Sequence, residues 1–450
     1  MFRKILIANR GEIAVRIIRT CKEMGIKTVA IYSEADEDSI HVHMADEAIC
    51  IGPAPSRKSY LNMENIISAA LVTKADAIHP GYGFLSEDKD LVDACIKNNI
   101  KFIGPNKEHL EIMGDKAQAR KAMIDAGVPV VPGSKEATND AHKAFEMAKD
   151  IGYPIMIKAS NGGGGRGMRI VHNEDEFISK FNMAKSESMA AFNDDMMYLE
   201  KFIEKPRHIE FQILADSHGN IIHLGERDCS LQRRNQKVLE EAPCSIINES
   251  LRKKMGEVAL RAARAVNYVS AGTIEFLLYK DKNFYFIEMN TRIQVEHPIT
   301  EQITGVDLIK EQIKIAYGEK LDLVQDDIRI NGHSIECRIN AEDPEKNFMP
   351  SPGKIERYFA PGGYGIRVDS HIYEDYIIPP NYDSMIGKLI VWGANRNEAI
   401  NRMKRALDEL VIIGIKTNVD FQKEILNNEE FIQNKIDTSF IEKVLFSENK

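Results

Sequence analysis

The stretch AGTIEFLLYKDKNFYFIEMN, residues 271–290, is the most informative part of this chain because it predicts two carboxylates facing each other across a β-hairpin. Both flanks are rich in β-branched and aromatic residues, and the polar insert at 280–283 predicts a four-residue loop. A symmetric hairpin pairs Tyr279 with Phe284, which sets Glu275 opposite Glu288. Their Cβ atoms would lie about 4.5–5.5 Å apart, where like charges destabilise a sheet.

A divalent cation is the simplest compensation for this carboxylate pair. Asn290 lies two residues beyond Glu288, so it shares the same face and could supply a third oxygen. Oxygen ligands of this kind suit Mg²⁺ together with its waters and the phosphates of a nucleotide. Taken alone, the segment is equally compatible with an ordinary amphipathic hairpin whose glutamates are solvated.

Length and composition indicate a globular protein of two to four domains. The 450 residues are 43% hydrophobic and 28% charged, with a mean hydropathy of −0.31. A net charge of −9 argues against nucleic acid or an anionic membrane as the main partner. No apolar run is long enough for a transmembrane helix, and the N-terminus MFRKILIANRGE predicts a first strand instead of a signal peptide. We therefore expect a cytoplasmic protein.

The cysteines show no metal-binding or disulfide pattern. Without any CxxC spacing, they predict buried thiols in a reducing compartment. Cys229 lies near Arg233 and Arg234, which could lower its pKa, but no neighbouring feature requires a thiol nucleophile, so an inert thiol is favoured. The six positions are Cys21, Cys50, Cys95, Cys229, Cys244 and Cys337.

The N-terminal part predicts a Rossmann-like α/β domain over residues 1–103. Residues 4–33 form a strand–helix–strand pattern, with Gly25 suited to end the helix. The first turn, residues 9–12, lacks the glycine triplet of a dinucleotide site. Turn formers at 80–83 mark a specific loop at the carboxyl end of a strand, where ligands of open α/β sheets gather.

Three further regions follow, so that the whole chain is predicted to combine α/β and α+β domains. Residues 104–130 predict a linker with short helices. Residues 131–203 predict a smaller unit with strands PIMIKA, MRIV and MMYLEKFI. Residues 204–450 predict a larger α+β region, which contains the hairpin and a C-terminal helix near 397–411.

A glycine-rich loop, KASNGGGGRG at residues 158–167, is the second strong feature. It formally matches GxGxxG, but a strand follows it where a dinucleotide or P-loop site needs a helix. Four consecutive glycines predict a loop that is mobile when empty and whose bare N–H groups can approach phosphates. A flexible hairpin tip is the alternative; Lys158 and Arg166, which bracket the loop, favour phosphate binding.

Polar residues alternate with apolar ones in three extended segments. For each segment alone, the solvated face of an antiparallel sheet is the favoured interpretation. Arg292, Arg338 and Lys237 have no evident partner at helical or cross-strand spacing, so the pattern alone does not single them out. The polar faces are His208, Glu210 and Gln212 in PRHIEFQI, Arg292, Gln294 and Glu296 in NTRIQVEHP, and Glu336, Arg338 and Asn340 in HSIECRIN.

Seven segments together resemble the biotin carboxylases of the ATP-grasp superfamily, and the likeness covers essentially the whole chain. It implies a Rossmann-like N-terminal domain, a small ATP-grasp lid bearing the glycine loop, and a larger C-terminal ATP-grasp/biotin carboxylase domain, with ATP between the last two. The segments are HPGYGFLSE (79–87), MGDK (113–116), KASNGGGGRGMR (158–169), EKPRHIEFQ (204–212), ERDCSLQRRNQK (226–237), EMNTRIQVEHPITE (288–301) and ECRINAEDP (336–344).

The resemblance implies a chemistry. ATP and bicarbonate would give carboxyphosphate, which breaks down to CO₂ and phosphate, and biotin would then be carboxylated at its ureido nitrogen. Because carboxyphosphate hydrolyses readily, a lid that closes and excludes water is expected.

The resemblance also implies a nucleotide site. Lys116 and Lys158 would contact phosphates, Gly164 and Gly165 would cover them, and residues 200–203 would frame the adenine. Glu275, Glu288 and Asn290 would hold Mg²⁺ or Mn²⁺, in agreement with the hairpin argument. The implied ATP contacts are Lys116, Lys158, Gly164, Gly165, Glu200, Lys201, Phe202, Ile203, His208, Gln232, Asn235, Glu275, Leu277 and Glu288.

By the same resemblance, Lys237, Arg292 and the Val295 backbone would bind bicarbonate, and Glu296 would be the base that removes its proton. Arg338 would stabilise the enolate-like oxygen of biotin while phosphate takes the proton from nitrogen.

Members of the family often carry histidine where this chain has Asn235. An amide keeps hydrogen bonding but loses any cationic contribution, so the ribose or phosphate contact is in question. We expect no loss of activity from this difference.

Biotin is expected to arrive in trans. The chain stops at Lys450 without an AMKM-like segment, and the Met403–Lys404 pair lies inside a predicted helix. The resemblance therefore implies a homodimeric acetyl-CoA carboxylase subunit with a biotin carboxyl carrier protein and carboxyltransferase subunits as partners.

Three alternatives remain. The chain could be the equivalent subunit of a split pyruvate or other acyl-CoA carboxylase. It could be a non-catalytic nucleotide-binding regulator, against which Lys237, Glu296 and Arg338 argue. It could also be another ATP-grasp ligase that joins an acyl phosphate to an amine, which the segment 292–296 disfavours.

Overall fold

A parallel sheet opens the chain. The computed structural model describes residues 1–134, 136–160, 167–279 and 282–447. Ile13, Ile17 and Ile18, at helical spacing, join the buried core that the first strand also enters. The strands, in sheet order β3-β2-β1-β4-β5, are β1 (Lys4–Ile7), β2 (Lys27–Tyr32), β3 (Glu47–Cys50), β4 (Ala77–His79) and β5 (Lys101–Phe102). The helices are α1 (Gly11–Glu23), α2 (Ile40–Met44), α3 (Met63–Thr73) and α4 (Lys89–Lys97).

The predicted strand–helix–strand pattern of residues 4–33 is confirmed. Helix α1 runs between the parallel pair β1 and β2. Gly25 lies just beyond the end of α1 with a φ of +71°, a left-handed conformation that glycine adopts without strain. The loop of residues 80–87 follows the carboxyl end of β4, as predicted.

Helices and a small antiparallel sheet come next. The predicted strands PIMIKA, MRIV and MMYLEKFI are confirmed, and Phe177 and Phe181 pack on them in one core. Within the glycine loop, residues 161–166 lie outside the described residues, and with them Gly164, Gly165 and Arg166. The helices are α5 (Lys107–Gly114), α6 (Lys116–Asp125), α7 (Ala141–Ile151) and α8 (Phe177–Phe192). The strands, in sheet order β7-β6-β8, are β6 (Ile155–Ala159), β7 (Arg169–Val171) and β8 (Met197–Lys201).

An antiparallel sheet dominates the rest of the chain. The remaining strands are β9 (Arg207–Ala215), β10 (Ile221–Arg233), β11 (Gln236–Ala242), β12 (Ser270–Leu278), β13 (Phe284–Asn290), β14 (His333–Asn340), β15 (Glu342–Asp343), β16 (Met349–Pro350), β17 (Gly353–Lys354), β18 (Arg357–Phe359), β19 (Ile366–Ser370), β20 (Ile377–Ile378), β21 (Met385–Gly393) and β22 (Val411–Ile413). Eight of them form one sheet, in the order β13-β12-β9-β10-β11-β14-β21-β19.

Helices cover the apolar face of this sheet. Met255 and Ala259 pack with Phe211 and Phe276, and Met403 packs with Leu389. The helix predicted near 397–411 is confirmed, but it ends at Glu409 because 411–413 form strand β22. The helices are α9 (Glu249–Ala265), α10 (His297–Thr304), α11 (Leu308–Tyr317), α12 (Arg396–Glu409), α13 (Val419–Asn427), α14 (Glu429–Ile432) and α15 (Phe440–Ser447). Within the described ranges, no helix is both long and apolar enough to cross a membrane.

The hairpin register corrects one prediction and confirms another. Leu278, not Tyr279, pairs with Phe284, so the symmetric four-residue loop is wrong. The Tyr279 N–H donates instead to the carbonyl oxygen of Asn283 at 2.7 Å. A register shift between Glu275 and Phe276 then adds one residue on β13, and Glu275 lies opposite Glu288 as predicted.

Two expectations about the alternating polar segments are wrong. Glu210, Gln212 and Glu336 are fully buried rather than on a solvated sheet face. Segment 291–296 is not a strand, because Val295 and Glu296 turn into α10.

Among the cysteines, Cys50 is exposed while the other five are buried and free. Burial raises the pKa of the Cys229 thiol well above its usual value, in keeping with an inert residue.

Buried histidines make the fold sensitive to acid. Burial lowers the pKa of His79 and His371 to about 3 and that of His41 and His223 to about 4. Each stays neutral in the folded protein while the unfolded chain takes up a proton below about pH 6.5. Stability is therefore fully present above pH 6.5 and is lost as the pH falls towards 4.

We expect His371→Leu to weaken this pH dependence. A fully titrating buried histidine contributes a slope of about 1.4 kcal/mol per pH unit to the free energy of unfolding. Urea unfolding between pH 7.5 and 4.5 should give a shallower slope for the variant than for the unsubstituted protein. Equal slopes would contradict a neutral His371 in the fold.

Candidate active site

Of the two carboxylates of the hairpin, Glu288 lines a cleft and Glu275 is buried beside it. Glu275 is buried, and its Oε1 accepts hydrogen bonds from Asn290 Nδ2 at 2.8 Å and Gln294 Nε2 at 2.9 Å. Its Oε2 lies 2.8 Å from His208 Nε2. Burial alone would raise the pKa of Glu275, but Lys237 and His208 hold it well below its usual value. Glu275 is therefore an anion in this site.

Glu288 has fewer partners. Its side chain is exposed to the cleft, yet the cleft walls withdraw solvent from it, and together with the nearby Glu275 charge they raise its pKa. This is the electrostatic conflict that the hairpin predicts.

Lys237, at the start of β11, lies at the centre of a ring of carboxylates. Its Nζ is 2.6 Å from Glu210, 2.6 Å from Glu296 and 3.2 Å from Glu275. Burial lowers the pKa of Lys237, but the surrounding acidic groups more than offset this and raise it well above its usual value. Lys237 is therefore a permanent cation held by three anions.

Arg338 continues this charged chain from strand β14. Its Nη2 lies 3.0 Å from Glu296 and its Nε lies 2.6 Å from Glu240. Burial raises the pKa of Glu296, but Lys237 and Arg338 outweigh it and hold the pKa well below its usual value. Burial raises the pKa of Glu240 to about 7 despite its arginine partner. Glu296 thus forms ion pairs with both Lys237 and Arg338.

Arg292 extends the site towards the N-terminal sheet. Its Nε donates to Glu87 Oε2 at 3.0 Å, and its Nη2 donates to Asn290 Oδ1 at 3.0 Å. Glu87 also accepts from the N–H of Thr291 at 3.0 Å. The loop after β4 therefore fixes the segment that follows β13.

A buried arginine, Arg227, fixes the position of several of these residues. Arg227 is fully buried and forms an ion pair with Glu210. It also donates to Gln294 Oε1 at 2.6 Å and to Thr300 Oγ1 at 2.9 Å. Arg227 therefore connects strand β10 to the segment that carries Glu296.

The cleft itself has a volume of about 320 Å³. Helices α5 and α6, the small sheet and strand β13 form its walls. Of the predicted site residues, the lining includes Lys116, Lys158, Glu200, Glu288 and Asn290. The structure thus brings predicted adenine, phosphate and metal contacts to one cavity.

Within the cleft, Lys158 of β6 forms an ion pair with Glu200 of β8. The neighbouring Lys201 points elsewhere, and its Nζ donates to the carbonyl oxygens of Gly152 and Tyr153 at 2.9 and 2.7 Å. A nucleotide that contacts both Lys158 and Glu200 therefore competes with this ion pair or binds alongside it.

The remaining predicted nucleotide contacts lie on the strands beside the cleft. Gln232 Nε2 lies 2.8 Å from His208 Nδ1. Phe202 and Ile203 directly follow β8, and Leu277 lies opposite His208 in the sheet. Asn235 is exposed at the turn between β10 and β11 with a φ of +63°. Its contact with a ligand stays a prediction.

The residues present fit a hard divalent cation. Two carboxylates oppose each other, and the Asn290 amide lies beside them, with its Nδ2 on Glu275 and its Oδ1 on Arg292, so its oxygen would have to turn towards a bound cation. Burial and the Glu275 charge raise the pKa of Glu288, and a cation would relieve that repulsion. Glu275, Glu288 and Asn290 are the residues that would hold Mg²⁺.

We expect Glu288→Gln to separate stability from metal binding. Removing one of two facing charges should stabilise the protein without ligand by about 0.5 kcal/mol. The same change should weaken binding of Mg²⁺–ATP by roughly tenfold, because a hard cation loses an anionic ligand. Urea unfolding and calorimetric titration with Mg²⁺–ATP would measure the two effects. Unchanged affinity would exclude Glu288 as a metal ligand.

Sequence comparison covers the chain from end to end. Residues 1–110 match "Biotin carboxylase, N-terminal domain", 115–324 match "Carbamoyl-phosphate synthase L chain, ATP binding domain", and 336–443 match "Biotin carboxylase C-terminal domain". A biotin carboxylase of Nostoc sp. is 59% identical over 443 residues, which cover 98% of this chain and 99% of that protein.

Solved structures resemble the fold equally well. The biotin carboxylase–β-γ-ATP complex of Campylobacter jejuni has a TM-score of 0.95 and 54% identity, over 98% of this chain and 99% of that one. The biotin carboxylase domain dimer of Hydrogenobacter thermophilus 2-oxoglutarate carboxylase, with MgADP, ADP and bicarbonate, has a TM-score of 0.94 and 52% identity, over 99% of both chains. These likenesses confirm the predicted fold class and the predicted resemblance: the chain belongs to the biotin carboxylase family.

Proposed function

We propose that this chain carboxylates biotin on a separate carrier protein, with ATP, Mg²⁺ and bicarbonate as co-reactants. One observation carries the proposal: Glu296 joins Lys237 and Arg338, and this cluster connects through Glu275 to Asn290, which lines the cleft with several predicted nucleotide contacts. A site that only bound nucleotide would need the metal residues, but it would not need a carboxylate with two cationic partners. Family membership supports the same reaction.

In the first step, ATP lies in the cleft and bicarbonate attacks its γ-phosphate, which gives carboxyphosphate and releases ADP. Lys116 and Lys158 neutralise phosphate charge, and Arg292 and Lys237 hold bicarbonate in line. When bound between Glu275 and Glu288, Mg²⁺ supplies further charge neutralisation. Phosphoryl transfer depends mainly on such positioning and electrostatic stabilisation.

Glu296 accepts the proton of bicarbonate before bicarbonate attacks the γ-phosphate. Its low pKa follows from its two cationic partners, Lys237 and Arg338. Once bicarbonate shares Lys237, this stabilisation of the Glu296 carboxylate weakens and its pKa rises towards a value suited to a general base.

Arg338 acts in the second step. By then carboxyphosphate has broken down to CO₂ and phosphate. We propose that Arg338 binds the oxygen of biotin and stabilises the enolate-like form while phosphate removes the nitrogen proton, and that the nitrogen then attacks CO₂. The Arg338 guanidinium cannot lose its charge, which suits this role.

We expect Arg338→Ala to affect carboxylation more than ATP cleavage. Biotin-dependent carboxylation should fall by roughly a hundredfold, in line with loss of one oxyanion donor. Bicarbonate-dependent phosphate release without biotin should fall far less. Arg396→Ala removes a partly buried arginine from a different carboxylate, Glu241, and serves as a control. Equal losses in both reactions of Arg338→Ala would indicate a structural role.

For the wider enzyme, we propose a cytoplasmic homodimer that serves acetyl-CoA carboxylase with a carrier protein and carboxyltransferase subunits. The alternative acceptor is a 2-oxo acid, because a 2-oxoglutarate carboxylase contains a relative with 52% identity. Reconstitution with the carrier and carboxyltransferases of the same organism, supplied with acetyl-CoA, pyruvate or 2-oxoglutarate, would identify the acceptor. Light scattering would report the oligomeric state.

Phosphate release from ATP and Mg²⁺, with and without bicarbonate and free biotin, tests the central proposal. Release that requires bicarbonate and increases with biotin is the expected result. Release that ignores both would reject biotin carboxylation for this chain.

A further inference from the structure

Two buried residues outside the site already described grip the backbone that precedes Glu296. His297 and Lys388 are both fully buried, and neither has a role in the reaction proposed above. His297 Nδ1 lies 2.7 Å from the carbonyl oxygen of Gln294. Lys388 Nζ donates to the carbonyl oxygen of Val295 at 2.7 Å. The two buried side chains thus hold two consecutive peptide units, Gln294–Val295 and Val295–Glu296.

The chemistry of the first contact fixes the histidine tautomer. A carbonyl oxygen can only accept, so Nδ1 of His297 carries the hydrogen. Burial, reinforced by Lys388 and two arginines, holds the pKa of His297 well below its usual value. The ring is therefore a neutral, fixed donor to Gln294.

Lys388 is fixed by its neighbours in the sheet. It lies between Arg338 on β14 and Asp369 on β19, directly opposite both. Its Nζ lies 3.0 Å from Glu12 Oε1, at the start of helix α1. Movement of the amine away from Val295 would therefore also weaken its ion pair with the buried Glu12 carboxylate. Loss of a buried ion pair costs several kcal/mol.

Peptide geometry connects these anchors to bicarbonate. In a trans peptide the C=O and the N–H point in opposite directions. An anchor on the Gln294 carbonyl therefore aims the Val295 N–H away from His297, and an anchor on the Val295 carbonyl fixes the plane from which Glu296 projects. The two donors thus set both the bicarbonate-binding N–H and the base.

We propose that His297 and Lys388 are positioning residues for bicarbonate, acting through the Gln294–Val295 and Val295–Glu296 peptides. This inference rests on the proposed function, since it requires that bicarbonate binds the Val295 backbone. It predicts a selective loss of bicarbonate affinity when either donor is removed, because misplacement of a binding group by about 1 Å can cost as much as a hundredfold in rate.

The first test compares two substitutions at one position. The His297 backbone N–H also donates to the Gln294 carbonyl oxygen, at 3.3 Å, and stays in both variants. His297→Leu removes the shorter side-chain bond, whereas His297→Asn keeps an N–H close to the position of Nδ1. We expect His297→Leu to raise the KM for bicarbonate by roughly tenfold and to leave the KM for ATP within about twofold. His297→Asn should restore most of the bicarbonate affinity.

The second test uses Lys388→Met combined with Glu12→Gln, so that no carboxylate is left without its partner. The same selective rise in the bicarbonate KM is expected. Lys314→Met is the matched control. It removes a lysine of helix α11 that pairs with Glu311 and Asp322. Circular dichroism and thermal unfolding identify variants that fold, and the two positions give independent measurements if one of them does not.

The outcomes separate the two proposals. Folded variants with an unchanged bicarbonate KM, or with equal rises in the KM for ATP and bicarbonate, would overturn the positioning role and leave the proposed function intact. If the unsubstituted protein releases phosphate without regard to bicarbonate, the proposed function fails and this inference fails with it.

Discussion

Glu296→Gln should abolish bicarbonate-dependent phosphate release, with a loss of roughly a thousandfold, while ATP affinity stays within about twofold. Glutamine has nearly the shape of glutamate and can still accept a hydrogen bond from Lys237 or Arg338. It cannot take up a proton at neutral pH. Steady-state phosphate release and equilibrium binding of a fluorescent nucleotide would measure the two effects.

The variant should remain folded. Lys237 keeps Glu210 and Glu275 as anionic partners when Glu296 becomes neutral. Glu301→Gln offers a matched control, because Glu301 lies on helix α10, which begins directly after Glu296, and pairs with Arg16 and Arg367 instead. Turnover of Glu296→Gln close to that of Glu301→Gln would remove Glu296 from the role of base.

Lys237→Met is expected to damage both stability and activity. It leaves Glu210, Glu275 and Glu296 without the cation that holds them together, and loss of one partner of a buried ion pair costs about 3–5 kcal/mol. Bicarbonate-dependent phosphate release should fall below detection, because the cation that holds bicarbonate is gone. Urea unfolding at pH 7.5 and phosphate release would measure the two losses.

A second substitution separates these effects. Glu210→Gln added to Lys237→Met removes one of the charges that lost Lys237, while the amide oxygen can still accept from Arg227. Part of the stability should therefore return. Activity should not return, because the cation is still missing. If the double variant regained turnover along with stability, Lys237 would be a structural residue and not a ligand of bicarbonate.

The hairpin shows what the sequence could predict about the site. Glu275 and Glu288 do face each other, although the loop pairing used to reach that result was off by one residue. The register shift beside Phe276 compensates for the error, and nothing in the alternation of residue types signals such a shift. Local pattern therefore predicted the strands and the polar face, whereas the register depended on three-dimensional packing.

The partners of the charged residues were beyond sequence reasoning. Glu210 is 27 positions from Lys237, Glu240 is 98 from Arg338 and Glu87 is 205 from Arg292. The first two pairs form between strands of the same eight-stranded sheet, β9 with β11 and β11 with β14, and the third joins the loop after β4 to the segment after β13. Which distant strands come together in a sheet is not encoded by the local spacing of residues. The same cause explains why Glu210 and Glu336 are buried, although the alternating pattern favoured a solvated face. Arg227, Glu87 and Glu240 gave no signal of their own.

The ion pair between Lys158 and Glu200 sets a chemical requirement for small molecules designed to enter the cleft. A compound that separates the pair without replacing it strands two polar groups, at a cost of about 1–3 kcal/mol for each. A compound with an acidic group directed at Lys158 and an amine or amidine directed at Glu200 satisfies both. Fragment screens against this protein should therefore enrich zwitterionic scaffolds over neutral ones.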